Sequence, residues 1–99
     1  NQTCHLLNKI GININTVPVL DVRRANTNNV IGDRSFSSDP KIVSKTGDFF
    51  IEHFQKNIIA TVIKHIPGHG LAKVDSHNST PFVKTKLKNL NKIDFLPYE

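Results

Sequence analysis

Apolar residues fall in two dense runs along this chain, with amphipathic stretches between and around them. The first run starts at Ile12 and contains INTVPVLDV, residues 14–22; the second, IIATVIKH, covers residues 58–65. A strand with one wet face alternates strictly between apolar and polar residues. Both runs instead carry apolar residues at odd and even positions, so they predict strands buried on both faces, as in parallel sheets. Pro18 has no N–H to give a ladder and argues against a central antiparallel strand. Between the runs, Ile42, Val43, Phe49, Phe50, His53 and Phe54 recur at helical spacing, predicting a helix that ends near Lys56. Ser38 or Asp39 can cap it, with Pro40 at its first position. Leu6, Leu7 and Ile10 mark residues 1–10 as the end of a helix, with Gly11 as its C-terminal cap. After a restart at Pro81 or Phe82, Leu87, Leu90 and Phe95 mark a last helix.

The predicted order is helix, strand, loop, helix, strand, loop, helix. Buried strands alternating with amphipathic helices predict an α/β fold with a parallel sheet and helical crossovers. In such folds, whether closed barrels or open sheets, function gathers in the loops that follow the C-terminal ends of strands. Both long polar stretches here occupy that place. One is the 17-residue loop from Arg23 to Asp39; the other begins at the end of the second strand, in KHIPGHGLAKVDSH, residues 64–77. No internal repeat or low-complexity linker divides the chain, so residues 1–99 read as one unit.

Composition narrows the possibilities. No apolar block approaches the ~18 consecutive residues that mark a membrane span, and no signal-peptide pattern is present. The single cysteine, Cys4, cannot form an internal disulfide, and no CxxC zinc pattern exists. Cys4 reads as a small apolar residue on a helix face. A cytoplasmic setting is the expectation. Two N-x-[ST] sequons, at Asn1 and Asn78, are what chance provides in so asparagine-rich a sequence. The chain lacks methionine and begins Asn-Gln-Thr-Cys, which predicts a missing upstream part. The net charge of +5 permits a nucleic-acid partner. However, the tightest lysine group, Lys84, Lys86, Lys88 and Lys92, has no interleaved aromatic residues for base stacking, so it reads as solvated surface.

Three of the five histidines lie in residues 64–77. His65, His69, Asp75 and His77 are zinc-ligand types, but Pro67 and Gly68 keep His65 and His69 off one helical turn, and the spacing fits no closed zinc site. Gly68 and Gly70 fit neither GxGxxG nor a P-loop. No metal and no cofactor is therefore expected. Asp75-Ser76-His77 puts a carboxylate two residues from an imidazole. Such a carboxylate can fix the histidine tautomer and stabilise its charged form, as acid/base chemistry requires. The competing reading is a capped polar turn. Lys64, at the end of a buried strand, either reaches a polar site or extends to solvent. Arg34 either forks onto hydroxyls or a carboxylate or pins its loop through Asp33 or Asp39. Asp21, also at a strand end, either joins the site or holds the loop.

Taken in order, INTVPVLDV, VIGDRSFSSDP, IKHIPGHG and DSH resemble the middle of a bacterial β-N-acetylglucosaminidase of glycoside hydrolase family three, the type acting on murein fragments. The resemblance covers nearly all 99 residues. It implies that the chain is two to three βα units of a TIM-type (β/α)8 barrel, a fold of ~250 residues, and that the rest of the barrel is needed for a complete site. It implies a retaining mechanism in peptidoglycan recycling, with His77 as acid/base and Asp75 as its partner. Arg34, Lys64 and His65 would hold the hydroxyls of an N-acetylglucosamine-containing substrate. A histidine here replaces one carboxylate of the usual glycosidase pair. The family's nucleophile, an aspartate on a later strand, falls beyond Glu99, so the chain alone is expected to be inactive. Ile66 stands where the family commonly has phenylalanine. The alternatives are a non-catalytic carbohydrate-binding or regulatory module and, with less support, a basic nucleic-acid binder.

Overall fold

The computed structural model describes residues 2–25 and 29–99. Asn1, with the first sequon, and Asn26, Thr27 and Asn28 of the first long loop lie outside the described residues. Helix α1 spans Gln2–Lys9, strand β1 Ile14–Asn15, helix α2 Pro40–Lys56, strand β2 Ala60–Thr61 and helix α3 Leu87–Ile93. Short 3-10 turns occupy Gly32–Arg34 and Leu96–Tyr98.

Strands β1 and β2 pair in parallel, Ile14 opposite Ala60 and Asn15 opposite Thr61. The pairing runs on past the regular strands. Lys64 N–H donates to the Pro18 carbonyl at 3.3 Å, and Leu20 N–H to the Lys64 carbonyl at 2.7 Å, so Val19 bridges to Lys64, again in parallel. The fold is thus α/β, with α2 as the crossover between two parallel strands, as the apolar runs predict. The peptide bonds Val17–Pro18, Lys64–His65 and Ile66–Pro67 are cis.

Helix boundaries follow local chemistry. The Asp39 carboxylate accepts from Lys41 N–H at 2.8 Å and caps α2, whose first residue is Pro40. Gly11, at φ +80°, ends α1. Ile12 N–H reaches the Leu7 carbonyl and Gly11 N–H the Asn8 carbonyl, the bond pair of a Schellman cap. The same cap closes α2, but its left-handed position is Ile58, at φ 61°. Ile59 N–H donates to the Phe54 carbonyl and Ile58 N–H to that of Gln55, both at 3.0 Å.

Burial departs from the sequence expectation at the strand starts. The run from Pro18 to Val22 is buried throughout, whereas Ile14 is 57% exposed. Ile58 does not open the second strand; it is the helix cap and is 85% exposed. An apolar run marks an element without marking where its pairing starts.

The core has two clusters. Cys4, Phe54 and Ile59 form one, joined by Leu7, Val17 and Phe50; Leu20, Val22 and Val43 form the other, joined by Phe36, Ile63, Ile93 and Tyr98. The first packs α1 against α2, and the second packs α2 and the end of α3 against the buried run that ends the first strand. Gly47 of α2 permits the close approach, since a Cβ there would come within 2.5 Å of Leu20 Cδ2. Packing α2 on the sheet in this way presents both loops of interest at the C-terminal ends of the strands.

Candidate active site

The first strand ends in Asp21, whose side chain is fully buried. A buried carboxylate must be hydrogen-bonded on both oxygens or its desolvation is uncompensated. Here the second loop satisfies it. Oδ2 accepts from His65 N–H at 3.2 Å and lies 2.5 Å from His65 Nδ1, while Oδ1 accepts from His69 N–H at 2.5 Å. The Asp21 carboxylate therefore holds the second loop, KHIPGHG, and not the first loop, which the sequence offers it; among the described residues, the first loop reaches Asp21 only at its backbone carbonyl. The carboxylate binds the backbone amide of His69, not its imidazole, and among the described residues neither ring nitrogen of His69 has a partner.

Other groups brace the same loop. The Tyr98 hydroxyl donates to the His65 carbonyl at 3.0 Å. Burial, reinforced by the nearby Asp21 and Asp94 carboxylates, pushes the Tyr98 phenol well above its ordinary range, so it remains a donor. Ser35 donates to the Asp21 carbonyl at 2.7 Å, tying the first loop to the strand end. Gly70 lies against Val22, and a Cβ there would overlap the Val22 carbonyl oxygen. Arg24 Nη2 and Asp94 Oδ2, 70 residues apart, form a largely buried salt bridge at 2.7 Å. Neither Tyr98 nor Asp94 is marked by any motif. Their roles follow from where the last helix packs, which spacing along the chain does not reveal.

Arg34 and Lys64 come together around one cavity of about 300 Å³, lined also by Val17, Pro18, Val19, Phe36 and Phe50. The Arg34 guanidinium donates to the Val30 carbonyl at 2.5 Å. Its hydrogen bond is thus to backbone rather than to Asp33 or Asp39. Lys64 Nζ lies 3.4 Å from Thr16 Oγ1. The cavity is mostly apolar with two cations at its edge, which suits a ligand with hydroxyls and a nonpolar face.

Asp75 and His77 pair as their spacing suggests. One carboxylate oxygen accepts from His77 N–H at 2.9 Å and lies 2.7 Å from His77 Nδ1. The backbone amide, then the imidazole, holds the Asp75 carboxyl below its ordinary value. The His77 side chain is 84% exposed. The two-residue turn forms the pair, and the ring faces solvent with Nε2 free to meet a second group. The described structure thus builds two parts: a braced strand-end set of Arg34, Lys64 and His65, and an exposed Asp75–His77 pair on the following loop.

Among the described residues, no three His, Cys, Asp or Glu side chains converge as metal ligands, and no helix is long and apolar enough to cross a membrane. Lys84, Lys86, Lys88 and Lys92 are all exposed.

Comparison with known proteins places these features in context. The family model described as the glycosyl hydrolase family 3 N terminal domain matches residues 1–99. Beta-hexosaminidase A of Pseudoalteromonas piscicida is 40% identical over 92 residues, which are 93% of this chain and 15% of that protein. Beta-hexosaminidase LpqI of Mycobacterium tuberculosis is 40% identical over 95 residues, 93% of this chain and 24% of that one. Among solved structures, NagZ from Neisseria gonorrhoeae in complex with N-trifluoroacetyl-D-glucosamine superposes with a TM-score of 0.88 at 33% identity, covering 96% of this chain and 28% of that one. The chain spans about a quarter or less of the curated relatives it matches.

Proposed function

The chain belongs to the glycosyl hydrolase family 3 N-terminal domain family, and from that premise we propose that it is the acid/base and sugar-holding segment of a β-N-acetylglucosaminidase barrel. The parent enzyme removes terminal β-linked N-acetylglucosamine from peptidoglycan-derived sugars with retention of configuration. Residues 1–99 supply two to three βα units of a TIM-type barrel. The parallel β1–α2–β2 unit, with its polar loops after the strand ends, supports that placement.

The observation that carries the reading is the Asp75–His77 pair. A carboxylate accepts and cannot donate, so the His77 proton nearest it sits on Nδ1. Nε2 is then the working nitrogen. In the first step, protonated His77 donates its Nε2 proton to the glycosidic oxygen as the bond from that oxygen to the anomeric carbon breaks. A nucleophile carboxylate, which the family resemblance puts beyond Glu99, forms the covalent glycosyl link. In the second step, neutral His77 takes a proton from water at Nε2. The water oxygen bonds to the anomeric carbon, and the nucleophile leaves. Asp75 stays ionised throughout and stabilises the charged imidazole.

Arg34, Lys64 and His65 hold the sugar hydroxyls. Asp21 and Tyr98 keep His65 in place, and the cavity shared by Arg34 and Lys64 supports their working together. Large apolar side chains left open on the segment, including Ile14, Phe49 and Ile66, are consistent with surfaces that the rest of a barrel covers.

The test is turnover of a chromogenic N-acetylglucosaminide. The expected result is hydrolysis with retained configuration by the barrel-length protein carrying this segment, and none by the 99-residue chain. Turnover by the isolated chain, or inversion by the longer protein, overturns the reading.

A further inference from the structure

Asp21 has no exposed side-chain surface, and its carboxylate hydrogen-bonds to histidine residues. Its partners are the backbone N–H and Nδ1 of His65 and the backbone N–H of His69. Two of these contacts converge on Oδ2 from a single residue, which fixes both the position of His65 and the rotation of its ring. A backbone N–H can only donate and a carboxylate can only accept, so the proton between Oδ2 and the ring belongs to Nδ1. The ring's other nitrogen, Nε2, makes no contact with Asp21, and the side chain is 37% exposed. The Tyr98 hydroxyl on the His65 carbonyl prevents the residue from rotating as a whole.

We propose that Asp21 is a positioning residue that sets the polarity of His65. By keeping the proton on Nδ1, it presents Nε2 of the neutral imidazole to the sugar as an acceptor. His65 therefore takes the hydrogen of a sugar hydroxyl, while Lys64 and Arg34, which can only donate, take hydroxyl oxygens. The recognised group is a hydroxyl acting as donor towards His65, so a substrate whose hydroxyl there is replaced by fluorine or methoxy is discriminated against. Fluorine and methoxy oxygen have no hydrogen to give. The proposal rests on the sugar-binding role of His65 given above and assigns its chemistry.

Two measurements on the barrel-length protein decide it. The first is the long-range 1H–15N correlation pattern of His65 in the unliganded protein under the conditions of the kinetic assay. The expected pattern has the proton on Nδ1; a proton on Nε2 overturns the proposal. The second is kinetics of Asp21→Asn beside Ser35→Ala. Asparagine offers one acceptor oxygen where Asp21 offers two, so either His65 or His69 loses its acceptor. Asp21→Asn should raise KM about tenfold, the scale of one oriented hydrogen bond, with kcat little changed. Ser35→Ala removes a bond to the Asp21 backbone but keeps the carboxylate, so it should lower the melting temperature without altering the His65 proton pattern. An unchanged KM in an Asp21→Asn variant whose spectrum shows the His65 proton displaced from Nδ1, or a fall in kcat with no change in KM, counts against the proposal. If Asp21→Asn does not fold, the wild-type spectrum still decides. A barrel-length protein that cleaves no N-acetylglucosaminide rejects the functional reading, while the spectrum still decides the tautomer.

Discussion

Asp75 engages His77 twice through a single oxygen, with the backbone N–H at 2.9 Å and the ring Nδ1 at 2.7 Å. The backbone contact is the larger cause of the lowered Asp75 carboxyl, and the ring contact the next. The turn therefore exists before the imidazole does anything chemical. The sign follows from the direction of the shift. A carboxyl depressed in the folded state stabilises the turn above its ordinary value of 3.8, and that stabilisation is lost as pH falls through the lower folded value. A carboxyl-carbon NMR titration should place the Asp75 midpoint below 3.8. In His77→Ala the midpoint should rise but stay below that value, because alanine keeps the N–H. A complete return would mean that the ring alone holds the carboxylate.

The same variant tests the chemistry. In the barrel-length enzyme, His77→Ala should lower kcat about 10²- to 10⁴-fold, the usual contribution of a positioned general acid/base. Binding of N-acetylglucosamine should persist, because the sugar-holding residues sit at the strand ends, apart from the exposed pair. Isothermal titration beside steady-state kinetics separates the two effects. An unchanged rate rejects the acid/base role.

Ile58 is a β-branched residue in the left-handed region, at φ 61°, with 85% of its surface exposed. The left-handed conformation costs an L-residue about 1–2 kcal/mol, and here little burial offsets it. Ile58→Gly removes that strain but adds about 0.5–1 kcal/mol of backbone entropy to the unfolded state. The net expectation is a gain of about 0.5–1 kcal/mol, read as a higher denaturation midpoint in urea. The cap bonds use main-chain atoms of residues 54, 55, 58 and 59, so they survive the change. A loss of stability would mean that the exposed side chain makes a contribution its burial does not reveal.

How far the sequence could be read is clearest at such positions. The Asp39–Pro40 helix start, the Gly11 cap and the parallel pairing of two apolar runs were legible because each rests on residue types with one dominant local habit. The Asp75–His77 contact was legible because a two-residue spacing closes on itself. Ile58 was not, since an apolar residue beside another reads as strand whether it pairs or caps. Asp21 was visible as a strand-end carboxylate, but that it holds the second loop rather than the first needed the 44-residue separation to His65 to close in space. Tyr98 and the Arg24–Asp94 bridge depend on where the last helix packs, and no local pattern encodes that.

Gly47 and Gly70 should respond differently to alanine. At Gly47 the new methyl meets Leu20 Cδ2 at 2.5 Å, the far end of a side chain that can shift, and alanine is better than glycine by about 1 kcal/mol inside a helix. Gly47→Ala should fall within about 1 kcal/mol of the parent, the propensity gain offsetting the repacking of Leu20. At Gly70 the methyl meets the Val22 backbone carbonyl, which is held at the end of the buried run and cannot yield without moving the strand. Gly70→Ala should cost about 3 kcal/mol, the upper part of the overpacking range. It should also displace the loop that carries His65. Chemical denaturation of the two variants checks the order; equal costs would mean that the Gly70 loop can move freely from Val22.

The Arg24–Asp94 bridge ties the first long loop to the end of α3. Its side chains are 22% and 5% exposed, so water screens the pair only in part. Removing one partner of a fully buried ion pair costs about 3–5 kcal/mol. Arg24 retains some access to solvent, so Asp94→Asn should cost less, about 2 kcal/mol. The change should also be felt at the sugar site. Asp94 Cβ lies 3.7 Å from where a Gly68 Cβ would stand, and Gly68 is in the KHIPGHG loop. Loosening the first loop frees Arg34, and loosening the second frees His65. The expected signature in the barrel-length enzyme is therefore a lower melting temperature together with a raised KM, the KM effect growing on warming as the loops open. A stability loss with KM unchanged at every temperature would confine the bridge to holding the fold.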